Sequence, residues 1–304
     1  MKPEVSIAIP VHNEEGNIEG LWREIRDVMD PLGIPYEVVL VNDGSTDRTG
    51  EILEGILRED PRVRVVELDG NFGEAAALSA GYRFSRGKWI ITMDGDGQND
   101  PRDIPRILQE LKKGYRAVSG FRRDRQEAFL SRVLPSRVAN WLIAAVTGCK
   151  IHDTGCGLKG YRADLVRGFN IPHGFHRFLP ALFGVKGEEV TEVVVMDRRR
   201  QAGRSHYGLG RTFEVLRELL TIKFVLSDPE GWRRRFRKIV PFSATIAAGG
   251  MALALLAPGT WSLGLFAGAM AVTALARIVQ RNLQRFIEAQ RRGVYKVKEV
   301  KGGD

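Results

Sequence analysis

A chain of 304 residues with 43% hydrophobic content can bury a globular core and holds one large or two small domains. Its net charge of +9 points to nucleic acid only until it is split by position. Residues 1–226 carry 33 basic and 32 acidic side chains and residues 227–304 carry 13 and 5, so the excess lies in the tail and no nucleic-acid partner is expected. Two cysteines and no secretory signal at the N-terminus fit a reducing cytosolic setting for the first domain.

Residues 5–9 (Val-Ser-Ile-Ala-Ile) read as a strand ended by Pro10, and Asn13-Glu-Glu-Gly-Asn17 opens a helix to about Met29. A second strand covers residues 36–41 and closes on Asn42-Asp43-Gly44-Ser45-Thr46-Asp47, before an amphipathic segment at 49–58. A third strand at 63–68 is followed by Gly70-Asn-Phe-Gly73 and an Ala-rich helix to about Ser85. Strands at 89–93 and 115–119 complete the series. Strands alternating with helices at this spacing imply an α/β fold with a parallel sheet flanked by helices on both faces.

The fourth strand stops on Asp94-Gly-Asp96-Gly-Gln98. Ligands of open α/β sheets bind beyond the carboxyl ends of the strands, so two carboxylates one residue apart sit at a site rather than in the core. Their oxygens suit a hard divalent ion that keeps positions open for a substrate's phosphates, although the same Asp-Gly pairs also form ordinary turns. Asp43, at the end of the second strand, can accept from a nucleobase or ribose or cap a helix together with Ser45 and Thr46. No glycine turn follows the first strand, and Gly81 to Lys88 has neither P-loop spacing nor its Ser or Thr. Hydride transfer and P-loop phosphoryl transfer are disfavoured.

Ser6-Ile-Ala-Ile-Pro10-Val-His-Asn-Glu-Glu15, Val41-Asn-Asp43-Gly-Ser-Thr-Asp47 and Asp94-Gly-Asp96-Gly-Gln98, in this order at strand ends, resemble the family-2 inverting glycosyltransferases of GT-A fold. Gly70-Asn-Phe-Gly73-Glu-Ala-Ala, Asp153-Thr-Gly-Cys-Gly-Leu-Lys159, Arg177-Phe-Leu-Pro and Arg200-Gln-Ala-Gly203-Arg-Ser205-His-Tyr207-Gly look like its polyprenyl-phosphate branch, which includes dolichyl-phosphate mannose synthase and bactoprenol glucosyltransferases. The resemblance covers residues 5 to about 226. It implies transfer of one sugar from a UDP- or GDP-linked donor to a polyprenyl phosphate, with Mg2+ or Mn2+. It places Pro10, Val11, Asn13, Glu14, Asp43 and Gly73 in the nucleotide-sugar pocket, Asp96 on the metal with Gln98 beside it, and Asp94 on the sugar or ribose. Asp153 lies where related enzymes with sugar acceptors keep a base. A phosphate acceptor, with its second pKa near ~6, is already nucleophilic and needs none, so Asp153 is expected to hold the acceptor site or the donor sugar. Arg122 and Arg200, then Arg137 and Arg204 with Ser205, are the expected contacts to lipid phosphate and diphosphate, because guanidinium forks suit phosphate. The branch often has His and Lys where this chain has Asp197 and His206.

Cys149, His152 and Cys156, with His173 or His176, have a zinc-like composition without a standard finger spacing. In the tail, residues 212–226 form an amphipathic helix that lies on a membrane or packs on the catalytic domain. The basic Trp232-Arg-Arg-Arg-Phe-Arg-Lys238 run abuts 19 uncharged residues, 239–257, about 28 Å as a helix against a hydrocarbon core of about 30 Å. After a turn at Pro258-Gly-Thr, residues 261–276 form a second apolar run. Basic residues at both ends put both ends of this hairpin in the cytoplasm, while a soluble helical hairpin is the alternative. Residues 294–301 read as a strand at a subunit contact or as a frayed end.

The expected division is a GT-A catalytic domain at 1–226, a basic juxtamembrane linker at 227–238, two transmembrane helices at 239–281 and a cytoplasmic basic tail at 282–304, in a multi-pass protein of the cytoplasmic membrane contacting membrane lipids, with the oligomeric state open. The rivals are another membrane family-2 transferase or a polysaccharide synthase, whose Gln-x-x-Arg-Trp motif is absent, and a non-catalytic membrane-anchored nucleotide-sugar binding protein.

Overall fold

The computed structural model describes residues 2–122, 143–145, 147–149, 151–185, 187–198, 209–257 and 259–303, with residues 209–216 traced through their backbone alone. It divides into two units, Met1–Gly208 with Arg292–Asp304, and Leu209–Arg291.

The first unit is built on an eight-stranded mixed sheet in the order β7-β5-β6-β4-β1-β2-β3-β8. Strands β1 (Val5–Val11), β2 (Tyr36–Asn42), β3 (Val63–Leu68) and β4 (Trp89–Thr92) are mutually parallel, as the apolar runs and intervening helices require. Helices α1 (Ile18–Met29), α2 (Thr49–Glu59), α3 (Glu74–Phe84) and α4 (Ile104–Lys112) cover the faces. Alternation along β2 separates two cores. Val38 and Leu40 pack with Ile7, Trp22, Ile25 and Ile107, while Val39 and Val41 pack on the other face with Val66, Ala77 and Ala80 of α3. The small residues of α3 permit a close approach: a Cβ at Gly81 would lie 3.1 Å from the Ala8 Cβ.

Strand β1 runs through Pro10 rather than stopping at it. In a parallel ladder a residue's N–H and C=O face the same neighbour, and successive residues alternate. Met93 N–H donates to Ala8 O and Asp43 N–H to Val11 O, so the N–H that Pro10 lacks would face β4, which has already ended at Thr92. The prolyl ring therefore breaks no ladder bond.

Three strands go beyond the alternating βα series. Strand β5 (Ala117–Arg122) reaches three residues further than residue 119. The short β6 (Lys159–Arg162) inserts antiparallel between β4 and β5, and β7 (Val190–Val195) pairs in parallel with β5. Strand β8 (Val297–Lys301) pairs antiparallel with β3 within the chain, so the alternating segment at 294–301 is an intramolecular edge strand. Gly302, at φ +76°, packs where a Cβ would lie 2.4 Å from Leu57 Cδ1 and 2.6 Å from Val63 O.

The second unit contains α5 (Leu209–Ser227) and α6 (Pro229–Leu256), and nearly all of α7 (Thr260–Arg292). Asp228 caps α6 by accepting from Gly231 N–H at 2.9 Å, with Pro229 at the first helical position. The basic run at 232–238 is thus the first turns of the helix that carries the apolar segment. Thr273 Oγ1 donates to Ser243 Oγ at 2.8 Å, and Asn282 Nδ2 donates to Thr221 Oγ1 at 3.0 Å, which joins α6 to α7 and α7 to α5. Both α6 and α7 are long and apolar enough to cross a membrane, and Phe242, Leu255, Leu256 and Trp261 on them are exposed.

Candidate active site

The carboxyl ends of β1, β2, β4, β5 and β7 and the amino end of antiparallel β6 lie at one edge of the sheet. Nearly all the described candidate residues are carried there.

At β2, buried Asp43 holds the next loop in place. Its Oδ1 accepts from Phe72 N–H at 2.7 Å and its Oδ2 from Gly73 N–H at 2.8 Å. His12 Nδ1 lies 2.8 Å from Asp43 O, and His12 Nε2 lies 3.0 Å from Asn71 Nδ2. A carbonyl only accepts and an amide NH2 only donates, so these partners define the Nδ1–H tautomer. Asn13, at φ 56°, accepts from Thr46 N–H at 2.7 Å through its side chain and donates its own N–H to Ser45 Oγ at 3.0 Å. Glu14 N–H donates to Thr49 Oγ1 at 2.9 Å, and Glu14 Oε2 accepts from Asn17 at 2.6 Å. The β1 and β2 loops are therefore one hydrogen-bonded body. Val11 enters it through backbone, its carbonyl accepting from Asp43 N–H at 2.9 Å, and the Pro10 carbonyl lies 3.0 Å from where a Cβ at Gly95, in the turn after β4, would stand.

At β4, Asp94 N–H donates to Asn99 Oδ1 at 3.1 Å, and buried Asp96 accepts from Gln98 N–H at 3.0 Å. Gln98 donates its side-chain amide to Arg198 O at 3.5 Å and accepts from Arg198 N–H at 3.0 Å through its backbone, which ties this turn to the segment after β7. Since β6 runs antiparallel to β4 with Thr92 opposite Lys159, the 153–158 loop lies at the same end. Gly157 there backs directly on Asp94: a Cβ would stand 2.2–2.4 Å from the carboxylate atoms.

Burial, then the charges of Glu74 and Asp96, push the Asp94 carboxyl up to about 7, against the opposing pull of Lys159 and Arg122. A cluster with more negative than positive charge suits a divalent cation. Asp94, Asp96 and the Gln98 amide oxygen are the oxygen donors that can hold one, with positions left for phosphate oxygens. Among the described residues no group of three or more His, Cys, Asp or Glu side chains is arranged to hold a metal by itself. Cys149 and Cys156 are buried thiols, each pushed up to about 11 by burial, and His152 Nδ1 lies 2.6 Å from Glu192 Oε2.

Buried Asp153 pairs with Arg122, which is 17% exposed. Arg122 Nε donates to Asp153 Oδ2 at 2.8 Å and Nη2 to Oδ1 at 3.2 Å, while Asp197 stands 3.8 Å from Nη1. These carboxylates outweigh burial and hold Arg122 firmly charged. Arg137, Arg200, Arg204 and Ser205 lie outside the described residues.

Two residues that sequence reasoning did not single out, Glu74 and Lys159, and one that it offered only as a zinc-type ligand, His176, belong to this edge. Glu74 opens α3 directly after Gly73. His176 Nε2 lies 3.8 Å from Glu74 Oε2, and burial lowers the His176 pKa to about 4. Buried Lys159 donates to the Cys156 carbonyl and bears on Asp94. Glu74 and Lys159 lie inside motifs quoted above, and position within those motifs was the available signal. A groove of about 730 Å3 lined by Lys2, Arg86, Lys88, Trp89, Arg162 and Arg167 lies at the opposite end of β4 and shares none of these residues.

A family profile for Glycosyl transferase family 2 matches residues 6–169. The dodecaprenyl-phosphate galacturonate synthase of Rhizobium johnstonii is 39% identical over 227 residues, covering 73% of this chain and 67% of that one. The undecaprenyl-phosphate 4-deoxy-4-formamido-L-arabinose transferase of Edwardsiella ictaluri is 35% identical over 253 residues, 83% and 75% of the two chains. Among solved structures, glucosyl-3-phosphoglycerate synthase from Mycobacterium tuberculosis, in complex with Mn2+, uridine diphosphate and phosphoglyceric acid, superposes with a TM-score of 0.55 at 22% identity over 73% of this chain and 78% of that one, which establishes the shared fold. The chain belongs to glycosyl transferase family 2, and its sheet is of GT-A type.

Proposed function

We propose that this glycosyltransferase moves a single sugar from a nucleotide-sugar to a polyprenyl phosphate, with inversion at the anomeric carbon, at the cytoplasmic face of a membrane that α6 and α7 cross. The observation that carries the reading is the Asp94-Gly-Asp96 turn at the end of β4, facing the Asp43 loop across one sheet edge. Support for the acceptor comes from the two relatives above, whose names both specify a polyprenyl phosphate.

In this reading Asp43, Asn13, Glu14, Gly73 and the backbone at Pro10 and Val11 form the nucleotide pocket. Asp96 and Gln98 hold a divalent cation, Mg2+ or Mn2+, which when bound neutralises the diphosphate as it leaves. Asp94 orients the donor sugar. The acceptor phosphate attacks the anomeric carbon without a protein base, since at neutral pH its second proton is largely gone. Asp153 fits that economy: paired to a guanidinium, it positions Arg122 rather than taking a proton. Arg122 supplies positive charge where two anionic substrates meet, together with Arg137, Arg200 and Arg204, and the Ser205 hydroxyl donates to phosphate.

Membrane crossing as a hairpin agrees with connectivity. Chain on both sides of Leu209–Arg291 belongs to one compact unit, which supports an even number of crossings for the intervening segment, as a hairpin gives. In this reading the membrane segment ends by about residue 292, and β8 (Val297–Lys301) pairs with β3 in the catalytic sheet.

The test is transfer from labelled UDP- and GDP-sugars to undecaprenyl phosphate with Mg2+ or Mn2+, using purified protein and Asp96→Asn. One sugar entering the lipid only with cation and intact Asp96 supports the reading. Bound nucleotide-sugar with no label in lipid from any donor removes the acceptor assignment.

A further inference from the structure

The groove at the amino end of β4 takes no part in the chemistry described above, and its charge stands out from its surroundings. Residues 1–226 hold 33 basic and 32 acidic side chains and so are close to neutral, yet five of the ten residues lining the groove are Lys or Arg and one is acidic. Two of the five cations are already matched. Arg162 makes two bonds to Asp164, at 3.0 and 3.1 Å, and Arg86 Nε donates to buried Glu37 at 3.0 Å. Among the described residues Lys2, Lys88 and Arg167 form no ion pair with a carboxylate. A lone surface cation is solvated and ordinary, whereas three unmatched ones around one concave space concentrate a field that attracts anions.

The groove is also held in shape. Its Arg86-Gly87-Lys88 loop is locked to β1 and β2: Gly87 N–H donates to Ser6 Oγ at 2.8 Å, and both Ser6 Oγ and Arg86 N–H donate to Glu37 Oε1 at 2.6 Å. Ser6 and Glu37 are buried, and a Cβ at Gly87 would stand 2.7 Å from Ser6 N, so the loop has no room to move toward the sheet. Neutral groups orient the cations. Arg167 Nη2 donates to the Gly87 carbonyl at 3.0 Å, Arg86 Nη1 donates to the Gly303 carbonyl, and Lys88 Nζ stands 4.8 Å from the centre of the Trp89 ring. A carbonyl or an indole face fixes a cation without cancelling its charge. Pro3, Trp89 and Ala163 add buried apolar walls, against which a bound anion is screened less than on open surface.

We propose that this groove is a second anion-binding site, separate from the active site, for a phosphate-bearing ligand of the diphosphate class. Guanidinium forks and an ammonium are the donors that phosphate oxygens accept from. Three unmatched cations exceed the charge of about −2 on a single phosphate monoester, and two linked phosphates match them more closely. Trp89 is only 6% exposed and already has Lys88 over its face, so it offers no ring on which a nucleobase could stack, and the groove reads phosphates rather than a base. The assignment stands apart from the nucleotide-sugar reading, because the two sites share no residue.

The experiment titrates inorganic pyrophosphate into the full chain in detergent by calorimetry, at low salt and with EDTA, so that no divalent cation bridges pyrophosphate to Asp94 or Asp96. Saturable binding with a Kd below about 1 mM, weakening as KCl is raised, is expected. Lys88→Gln combined with Arg167→Gln should raise that Kd by about tenfold or more while the melting temperature stays at the wild-type value. Inorganic phosphate should bind wild type at least about fivefold more weakly than pyrophosphate. No saturable binding of pyrophosphate, or a change below twofold in the double variant, overturns the site, and equal constants for phosphate and pyrophosphate overturn the diphosphate class. The same two proteins in phosphatidylcholine nanodiscs, without and with phosphatidylglycerol, identify the source of the ligand. A wild-type-to-variant ratio that persists with the anionic lipid assigns the groove to a soluble anion, and one that collapses only there assigns it to a lipid headgroup. A ratio near one in both overturns the site.

Discussion

Arg122 and Asp153 join by two guanidinium–carboxylate hydrogen bonds while being 17% and 3% exposed, one at the end of β5 and the other in the loop before β6. Strands that meet antiparallel are thereby locked at the site end. Breaking a fully buried pair by removing one partner costs about 3–5 kcal/mol. Arg122 is 17% exposed and keeps Asp197 at 3.8 Å, so Asp153→Ala is expected to lose stability by less than that in denaturant unfolding. Arg122→Lys keeps the charge but loses the fork, so a smaller stability loss and a large loss of transfer are expected. A wild-type pH profile for residual Asp153→Asn activity would agree with a positioning role, and loss of the acid-side limb would indicate a base.

Gly157→Ala places a methyl inside the Asp94 carboxylate, at 2.2–2.4 Å. The side chain has to turn away, and displacement at a reacting centre of this size costs on the order of 100-fold in rate. Steady-state transfer should fall by about that factor while far-UV circular dichroism is unchanged.

His176 carries a pH signature. Burial holds its folded pKa near 4, below the unfolded value of about 6.5. A depressed folded pKa in a base means the unfolded state binds the proton more readily. The stability contribution is therefore complete above pH 6.5 and is lost as pH falls towards 4, by about 3 kcal/mol over the window. His176→Gln should flatten that part of the stability profile, and an identical slope in the variant would assign it elsewhere.

Asp96→Asn is expected to abolish cation-stimulated binding of the nucleotide-sugar and to reduce transfer by at least about 100-fold, with a melting temperature close to wild type. Calorimetric titration with Mn2+ and UDP checks this without relying on turnover, and full activity in the variant would remove Asp96 from the cation.

At the sheet edge, Gly302→Ala brings a Cβ against the Val63 carbonyl at 2.6 Å in a left-handed conformation. A stability loss of about 1–2 kcal/mol is expected, and deleting residues 294–303 should cost more and promote aggregation by exposing the β3 edge. Light scattering of the two variants at matched concentration separates the effects.

Strands β1 to β4 were legible because each is an apolar run bounded by turn residues, and Asp94-Gly-Asp96 because it interrupts such a run with charge. Strand β6 was not: Lys-Gly-Tyr-Arg is four residues with charge at both ends, and it is a strand only because β4 and β5 stand on either side of it. Pro10 misled as a strand terminator because its register, and hence the direction of the missing N–H, is a property of the assembled ladder. Asp153 and Arg122 were each visible as site candidates, yet their bond to one another spans 31 residues and changes what either can do. Glu74 and His176 are 102 positions apart, and no local pattern announces their meeting.

Strand β8 begins 229 positions after β3 ends, with the whole helical unit between them. A chain made at roughly 5–20 residues per second therefore waits on the order of ten to fifty seconds between synthesis of the edge and synthesis of the strand that covers it. Throughout that interval the catalytic sheet is an unfinished template, open to pairing with any nascent neighbour. The yield of correctly folded enzyme is then set by how fast the helical segment is cleared from the ribosome, and helper proteins that shield β3 should raise it more than ones that assist the helices.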